Sequence, residues 1–238
     1  MLRVTVVELP AVWDDRLGVL ALLDDELARG PSTDLVLLPE AAFTGYVSPR
    51  GSFDLRRFAE PLDGPTIGAV SELARKHRTS IVAPLVLREG AACFNAMAVV
   101  DERGATVAVY RKRHPWFPER WATAGTTEPP MFEVQGVRVT MGICFDVHFL
   151  ADDATDALRG SDLLLFPSAW VDEEDTKIPT LARLARRFEI SIANANWAPG
   201  VVQLPGQGDS CILDPEGRIV SAVRAGETRA DAVVERRR

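Results

Sequence analysis

Short apolar runs alternate along this chain with longer segments of helical period, and this alternation restricts the fold more than any other feature. Apolar runs of roughly four to eight residues are typical of buried strands, and a period near 3.6 is typical of amphipathic helices. Strands that alternate with helices indicate an α/β layered domain. Turns at 101–104 and 214–217 indicate antiparallel hairpins, so the predicted sheets are mixed. Strands are predicted at 3–7, 34–38, 80–87, 93–100, 106–110, 138–145, 162–166, 191–194, 211–213 and 219–223, and helices at 15–29, 66–77, 151–159 and 178–188.

A weak internal repeat accompanies this alternation. The segments Asp34-Leu-Val-Leu-Leu-Pro-Glu-Ala and Asp162-Leu-Leu-Leu-Phe-Pro-Ser-Ala share Asp, two Leu, Pro and Ala at matching positions. The match indicates two similar strand-to-loop corners in two halves of a sandwich. A chance resemblance between buried strands is the alternative interpretation.

Length and charge restrict the classes of function. No segment rich in Gly, Ser or charge divides the 238 residues, so we predict a single domain over residues 1–238. The net charge of -7 disfavours a nucleic-acid groove or binding to an anionic membrane, since both require a basic surface. No run of about 18 apolar residues is present, so we predict no membrane-spanning helix.

The cysteine count bears on the cellular compartment. Cys93, Cys144 and Cys211 are an odd number of thiols, which does not suit a disulfide framework. The sequence opens directly on a predicted strand, so no signal peptide is predicted. A cytoplasmic location is therefore expected, and a buried structural role is the ordinary expectation for each thiol.

Three reactive residues follow predicted strands, where an α/β fold commonly presents functional groups. Glu40 follows the run 35–38, Lys112 lies at the end of a hairpin strand, and Cys144 lies at the end of a strand just before a helix, where backbone N–H groups favour a thiolate. Taken singly, they can be a loop carboxylate, a member of a basic surface cluster and a buried thiol. Together they supply the base, the cation and the nucleophile that acyl transfer requires.

Two other arrangements around the same thiol are open on the sequence. Cys144, Asp146 and His148 have a rough resemblance to metal-ligand spacing, but no second ligand pair accompanies them, so no metal site is predicted. His114 or His148 can in principle act as the base for Cys144, as a histidine does in a thiol peptidase. No glycine-rich phosphate loop is present, and no nucleotide cofactor is predicted.

Three motifs in order make the sequence resemble the carbon-nitrogen hydrolase, or nitrilase, superfamily over nearly the whole chain. They are Leu37-Leu-Pro-Glu-Ala-Ala-Phe-Thr-Gly-Tyr46, Tyr110-Arg-Lys-Arg-His114 and Gly142-Ile-Cys-Phe-Asp146. The resemblance implies a four-layer αββα sandwich with two mixed β-sheets. It also implies an amidase that needs neither a metal nor an organic cofactor, acts on a small amide or nitrile, and forms a homodimer.

The resemblance also assigns expected roles to individual residues. Cys144 is expected to be the nucleophile, Glu40 the general base and acid, and Lys112 the cation beside the tetrahedral intermediate. The backbone N–H of Phe145 is expected to complete the oxyanion hole, and Glu119 falls where amidases of the family hold a second glutamate that positions the substrate. Trp170 is one of several aromatic residues expected to line an apolar substrate pocket; packing between layers is the alternative for these rings.

The chain departs from the family pattern after the cysteine motif. His148 and Ala151 stand where the family commonly has Arg and Glu, which removes a familiar ion pair near Cys144. Two alternative functions are therefore kept beside the amidase. One is a true nitrilase that uses the same thiol, and the other is a catalytically idle binding or assembly protein that keeps the fold.

Overall fold

The structure is a computed structural model that describes residues 1–172 and 174–237. Within this part of the chain the strands are β1 (Leu2–Val7), β2 (Leu9–Pro10), β3 (Leu35–Leu37), β4 (Ser80–Glu89), β5 (Ala92–Val100), β6 (Thr106–Arg111), β7 (Phe132–Val134), β8 (Val137–Met141), β9 (Leu163–Pro167), β10 (Ser191–Ala195), β11 (Trp197–Ala198), β12 (Cys211–Leu213), β13 (Ile219–Ala222) and β14 (Arg229–Val234). The helices are α1 (Arg16–Arg29), α2 (Pro65–His77), α3 (Leu150–Asp153), α4 (Thr155–Gly160) and α5 (Lys177–Phe188), with 3₁₀ turns at Arg56–Phe58 and Cys144–His148.

Two six-stranded mixed sheets form the centre of the described molecule. The first sheet has the order β14-β1-β3-β4-β5-β6, and the second has the order β13-β12-β10-β9-β8-β7. In the first sheet β1, β3 and β4 are parallel and the flanking strands are antiparallel. In the second sheet β8, β9 and β10 are parallel, again with antiparallel flanking strands. The prediction of two mixed sheets is therefore confirmed.

The helices cover the outer faces of the two sheets. Side chains of α1 and α2 share one buried cluster with β3 and β4, through residues such as Leu23 and Ile81. A second cluster joins the facing sides of the two sheets with α4 and α5, through residues such as Leu37 and Leu181. Removal of this apolar surface from water is the main favourable contribution to folding. The layer order is the αββα sandwich that the sequence predicted.

Local signals explain where the longer helices begin and end. The side chain of Asp15 accepts a hydrogen bond from the Gly18 backbone N–H at 2.9 Å and caps the start of α1. α2 begins with Pro65, a residue favoured at the first helical position. α5 buries Leu181, Ala185 and Phe188 on one face, which fits a helix lying on a sheet.

The internal repeat found in the sequence is also present in the structure. Asp34 accepts hydrogen bonds from the backbone N, Nε and Nη2 of Arg3 at 2.9, 3.0 and 2.6 Å. Asp162 accepts the same three bonds from Arg138 at 2.9, 3.0 and 2.5 Å. The strand pair β1 and β3 thus corresponds to the pair β8 and β9, at equivalent places in the two sheets.

Several predicted boundaries are wrong, for identifiable reasons. The strand predicted at 138–145 ends at Met141, and the chain turns away from the strand direction at Cys144, whose φ is 43°. The helix predicted at 151–159 is two short helices, α3 and α4, separated at Ala154. β2, β7, β11 and β14 were not predicted, since they are short or carry polar residues between their apolar positions. The turn between β7 and β8 has positive φ at Gln135 and Gly136, as hairpin turns prefer.

Within the described residues, none of the helices is both long and apolar enough to cross a membrane.

Asp162→Asn is expected to lower the free energy of unfolding by about 2 kcal/mol at pH 7. Burial alone would raise the pKa of Asp162, but hydrogen bonds from Arg138 and from the Arg237 backbone outweigh it and lower the pKa to about 2. This stability is present above the unfolded pKa of 3.8 and is lost as the pH falls toward 2. Urea unfolding at pH 7 and at acidic pH measures the difference. Asp63→Asn, at an exposed site, is the matched control, and an equal effect of both variants would contradict the account.

Candidate active site

Glu40 lies at the corner that follows β3, where the chain meets the second sheet. Its side chain is fully buried. Oε1 accepts hydrogen bonds from Lys112 Nζ and from Asn95 Nδ2, both at 2.7 Å. Oε2 accepts a bond from the Ala169 backbone N–H at 2.9 Å. The carboxylate is therefore fixed by donors from both sheets, since Asn95 lies in β5 and Ala169 follows β9.

Lys112 follows β6 and is also fully buried. Its backbone N–H donates to the Asn95 carbonyl at 2.8 Å, which extends the pairing of β6 with β5. Nζ donates to Glu40 Oε1 at 2.7 Å and to Glu119 Oε1 at 3.0 Å. One ammonium group is thus shared by two carboxylates that have no access to solvent.

Glu119 reaches this centre from the loop that follows Lys112. Its Oε1 accepts from Asn95 Nδ2 at 2.8 Å, and its Oε2 accepts from the Trp116 backbone N–H at 2.8 Å. The side chain is fully buried. The structure therefore brings Glu119 against Glu40 and Lys112, the two residues that the sequence had placed in the same site.

Cys144 stands at a sharp turn that follows β8. Its φ of 43° is in the left-handed region, which non-glycine residues adopt at a cost and often at functional sites. Asp146 holds the turn: Oδ2 accepts from the Ile143 N–H at 3.0 Å and from the Tyr110 hydroxyl at 2.9 Å, and Oδ1 accepts from the His114 N–H at 2.9 Å. These bonds support the loop that carries Cys144, where His148 and Ala151 stand in place of the Arg and Glu that the family commonly has.

A cavity of about 210 Å³ opens beside Cys144. Phe145 and Trp170, which the sequence predicted as substrate-positioning residues, line this cavity together with the thiol. The full lining is Trp116, Cys144, Phe145, His148, Ala169, Trp170, Val171, Asp172 and Thr176. Four aromatic or heteroaromatic rings therefore surround the space next to the thiol.

The charges of the site shift the pKa of each central group. Burial alone would lower the pKa of Lys112, but Glu40 and Glu119 outweigh it and raise that pKa, so the ammonium stays charged. Burial raises the pKa of Glu40 against the opposing effect of Lys112. Burial also raises the pKa of the Cys144 thiol well above its ordinary value. Burial therefore favours the neutral thiol, and a base must remove the proton when the sulfur reacts.

Sequence reasoning missed two polar residues of the site. Asn95 donates to both carboxylates, and the signal for it was an amide within an otherwise apolar strand. Tyr46 is buried nearby, and burial together with the charges of Glu40 and Glu119 raises its pKa well above its ordinary range. Tyr46 is the last residue of the first motif, so its position was visible in the sequence although its surroundings were not.

Of the two histidines considered as a base for the thiol, His114 is held by other groups. Among the described residues, no three His, Cys, Asp or Glu side chains form a group able to hold a metal ion. His114 Nε2 bonds Asp153 Oδ2 at 2.7 Å, and its ring stacks on Phe149. His114 is therefore committed to other partners, whereas His148 lines the cavity.

Comparison with known proteins identifies the family of the chain. Residues 3–234 match the family model of the carbon-nitrogen hydrolases. The chain belongs to the carbon-nitrogen hydrolase family and is an enzyme of that class.

Individual relatives are distant in sequence but match over most of their length. A Pseudomonas protegens protein described as "Hydrolase in pqqF 5'region" is 27% identical, over 99% of this chain and 83% of its own length. The 2-oxoglutaramate amidase of Bacillus subtilis is 28% identical, over 79% of this chain and 73% of its own length. The crystal structure of an amidase from Nesterenkonia sp. is 25% identical and has a TM-score of 0.86, covering 99% of this chain and 90% of that one.

Lys112→Met is expected to destabilise the fold by roughly 3–5 kcal/mol at neutral pH, because it leaves two buried carboxylates without their cation. Urea unfolding measures this loss. The deficit should shrink as the pH is lowered toward the ordinary Glu pKa of 4.5, because the raised pKa of Glu40 lets this buried carboxyl take up a proton in the folded chain before it does so in the unfolded chain. Lys76→Met removes an exposed ion pair with Asp24 and should cost less than about 1 kcal/mol. Equal losses in the two variants would contradict the burial argument.

Proposed function

We propose that this enzyme is an amidase that cleaves the carbon-nitrogen bond of a small amide through a thioester on Cys144. The observation that carries the proposal is the position of this thiol, on the wall of a cavity and beside the buried cluster of Glu40, Lys112 and Glu119. That cluster offers a base and a cation in a space that excludes water. Preorganised charges act most strongly in such surroundings.

In the first step, Glu40 accepts the proton of the Cys144 thiol as the sulfur attacks the carbonyl carbon. The elevated pKa of Glu40 suits this role, since a base with a pKa closer to neutrality accepts a proton more readily. The S–C bond forms, and the carbonyl oxygen gains the negative charge. Lys112 Nζ and the Phe145 backbone N–H are the proposed donors to this oxyanion.

In the second step, the tetrahedral intermediate collapses and the C–N bond breaks. Glu40 returns its proton to the departing nitrogen, so ammonia or an amine leaves as a neutral molecule. In the third step, Glu40 takes a proton from a water molecule, and the water oxygen attacks the thioester carbon. The S–C bond breaks, the thiol regains the proton, and a carboxylic acid is released.

Glu119 is proposed to position the cation and the substrate. Its two oxygens hold Lys112 Nζ and the Trp116 N–H, so it joins the catalytic cluster to the loop that contributes Trp116 to the cavity wall. A second carboxylate also keeps Lys112 charged while Glu40 changes its protonation state. Trp170 and the Phe145 ring are proposed to contact the acyl part of the substrate.

We also propose a homodimer in the cytoplasm. The three free thiols, Cys93, Cys144 and Cys211, are compatible with a reducing compartment. Light scattering tests the oligomeric state: a mass twice that of the chain supports the proposal, and a monomer at micromolar concentration overturns it.

Cys144→Ala is expected to reduce kcat/KM for ammonia release from amides by at least about 10³-fold, because the nucleophile is lost. A coupled ammonia assay on panels of aliphatic amides and the corresponding nitriles measures this effect. Cys93→Ala removes a thiol outside the site and should retain activity. Full turnover by Cys144→Ala would overturn the proposed mechanism. A preference for nitriles would identify a nitrilase, and inactivity of the wild type on both panels would favour the idle binding protein.

The pH dependence of kcat/KM is expected to report the ionisation of Glu40. The ionised carboxylate is the active base, so activity should rise with pH through an elevated Glu pKa. Asn95→Ala removes a hydrogen bond that lowers the pKa of Glu40. The acidic limb of the profile should therefore move to higher pH in this variant. An acidic limb that stays in place in Asn95→Ala would contradict the assignment of Glu40 as the base.

A further inference from the structure

The entrance to the proposed active site carries one fixed negative charge. Asp172 lies on the cavity wall, half-buried, at the same opening as Trp116, Phe145 and Trp170. Among the described residues that line this cavity, there is neither Lys nor Arg. Of the described side chains on this wall, only His148 is able to become cationic. The fixed charge of the described wall is therefore the negative charge of Asp172.

The local structure keeps Asp172 ionised. Its Oδ2 accepts hydrogen bonds from the Thr176 hydroxyl at 2.5 Å, the Thr176 N–H at 2.7 Å and Trp170 Nε1 at 3.2 Å. Its Oδ1 accepts from the Glu174 N–H at 2.8 Å. These hydrogen bonds hold the pKa of Asp172 well below its ordinary range, and the bond from the Thr176 hydroxyl has the largest effect.

The inner end of the cavity does not offset this charge. Lys112 is the cation nearest the thiol, and its Nζ already lies between Glu40 and Glu119. Two carboxylates thus face one ammonium group at full burial. Arg113, on the neighbouring loop, donates to the Asp153 carbonyl at 2.9 Å and is not part of the lining.

We propose that this site selects amides whose far end is uncharged or cationic, and that it rejects amides carrying a second group that is a carboxylate. This inference rests on the proposed amidase function and adds a substrate class to it. An anionic end would lie in a partly desolvated space with Asp172 and without a Lys or Arg partner among the described lining residues. A neutral end packs against the rings of Trp116 and Trp170, and an ammonium end gains a favourable contact with their faces and with the carboxylate.

Three amides of similar length separate these cases: pentanamide, 5-aminopentanamide and glutaramate, which end in a methyl, an ammonium and a carboxylate group. We expect kcat/KM for glutaramate to be at least about tenfold below that for pentanamide at low ionic strength, and 5-aminopentanamide to equal or exceed pentanamide. Calorimetric binding to Cys144→Ala gives the same order without turnover. Absence of hydrolysis overturns the proposed function, whereas equal or tighter binding of glutaramate overturns the inference about charge.

Two substitutions separate charge selection from a structural role of Asp172. Asp172→Asn keeps a side-chain oxygen for Thr176 and should raise the glutaramate-to-pentanamide ratio of kcat/KM at least about threefold. If Asp172 only orders the loop before α5, all three amides should weaken together and the ratio should not change, which overturns the proposal. His148→Arg adds a cation to the cavity wall without changing Asp172 and should improve glutaramate selectively. An unchanged ratio in His148→Arg also counts against the proposal.

Discussion

The buried contact of Lys112 with Glu40 and Glu119 is the interaction on which the rest of the site depends. Three ionisable groups with no solvent exposure are tolerated only when their positions and hydrogen bonds are fixed. Asn95 supplies part of this order from β5, and the Ala169 N–H supplies another part from the second sheet. The sandwich therefore provides the dry, rigid surroundings in which a neutral thiol and a buried carboxylate exchange a proton.

The two halves of the internal repeat have similar strand-to-loop corners but carry different functional residues. The corner after β3 carries Glu40, and the equivalent corner after β9 carries Ser168 and Ala169, whose backbone meets Glu40 directly. The first sheet contributes the proposed base and cation, and the second contributes the thiol and the N–H donor. A site formed between two equivalent corners explains why residues distant in sequence lie within hydrogen-bond distance. The ion pairs Arg3–Asp34 and Arg138–Asp162 link the equivalent strand pairs in the same way, β1 with β3 and β8 with β9.

Much of the fold and the central residues of the site could be predicted from the sequence. Apolar runs located most strands, and motif order brought together Glu40, Lys112 and Cys144. Three features could not be predicted from the sequence because they depend on tertiary contacts. The role of Asn95 requires both carboxylates to be in place, and the high pKa of the Cys144 thiol follows from burial rather than from its neighbours in sequence. β14 was missed because its apolar positions have meaning only beside β1.

The thiol of Cys144 is proposed to carry the acyl group during turnover, and this acyl-enzyme can be trapped. Rapid acid quenching of the enzyme during turnover of a hydrolysed amide, followed by mass spectrometry of the intact chain and its peptides, measures the adduct. We expect a mass increase equal to the amide less ammonia, located on the peptide that contains Cys144 and absent from Cys144→Ala. Turnover without any adduct on this peptide, or an adduct on a different residue, would contradict it.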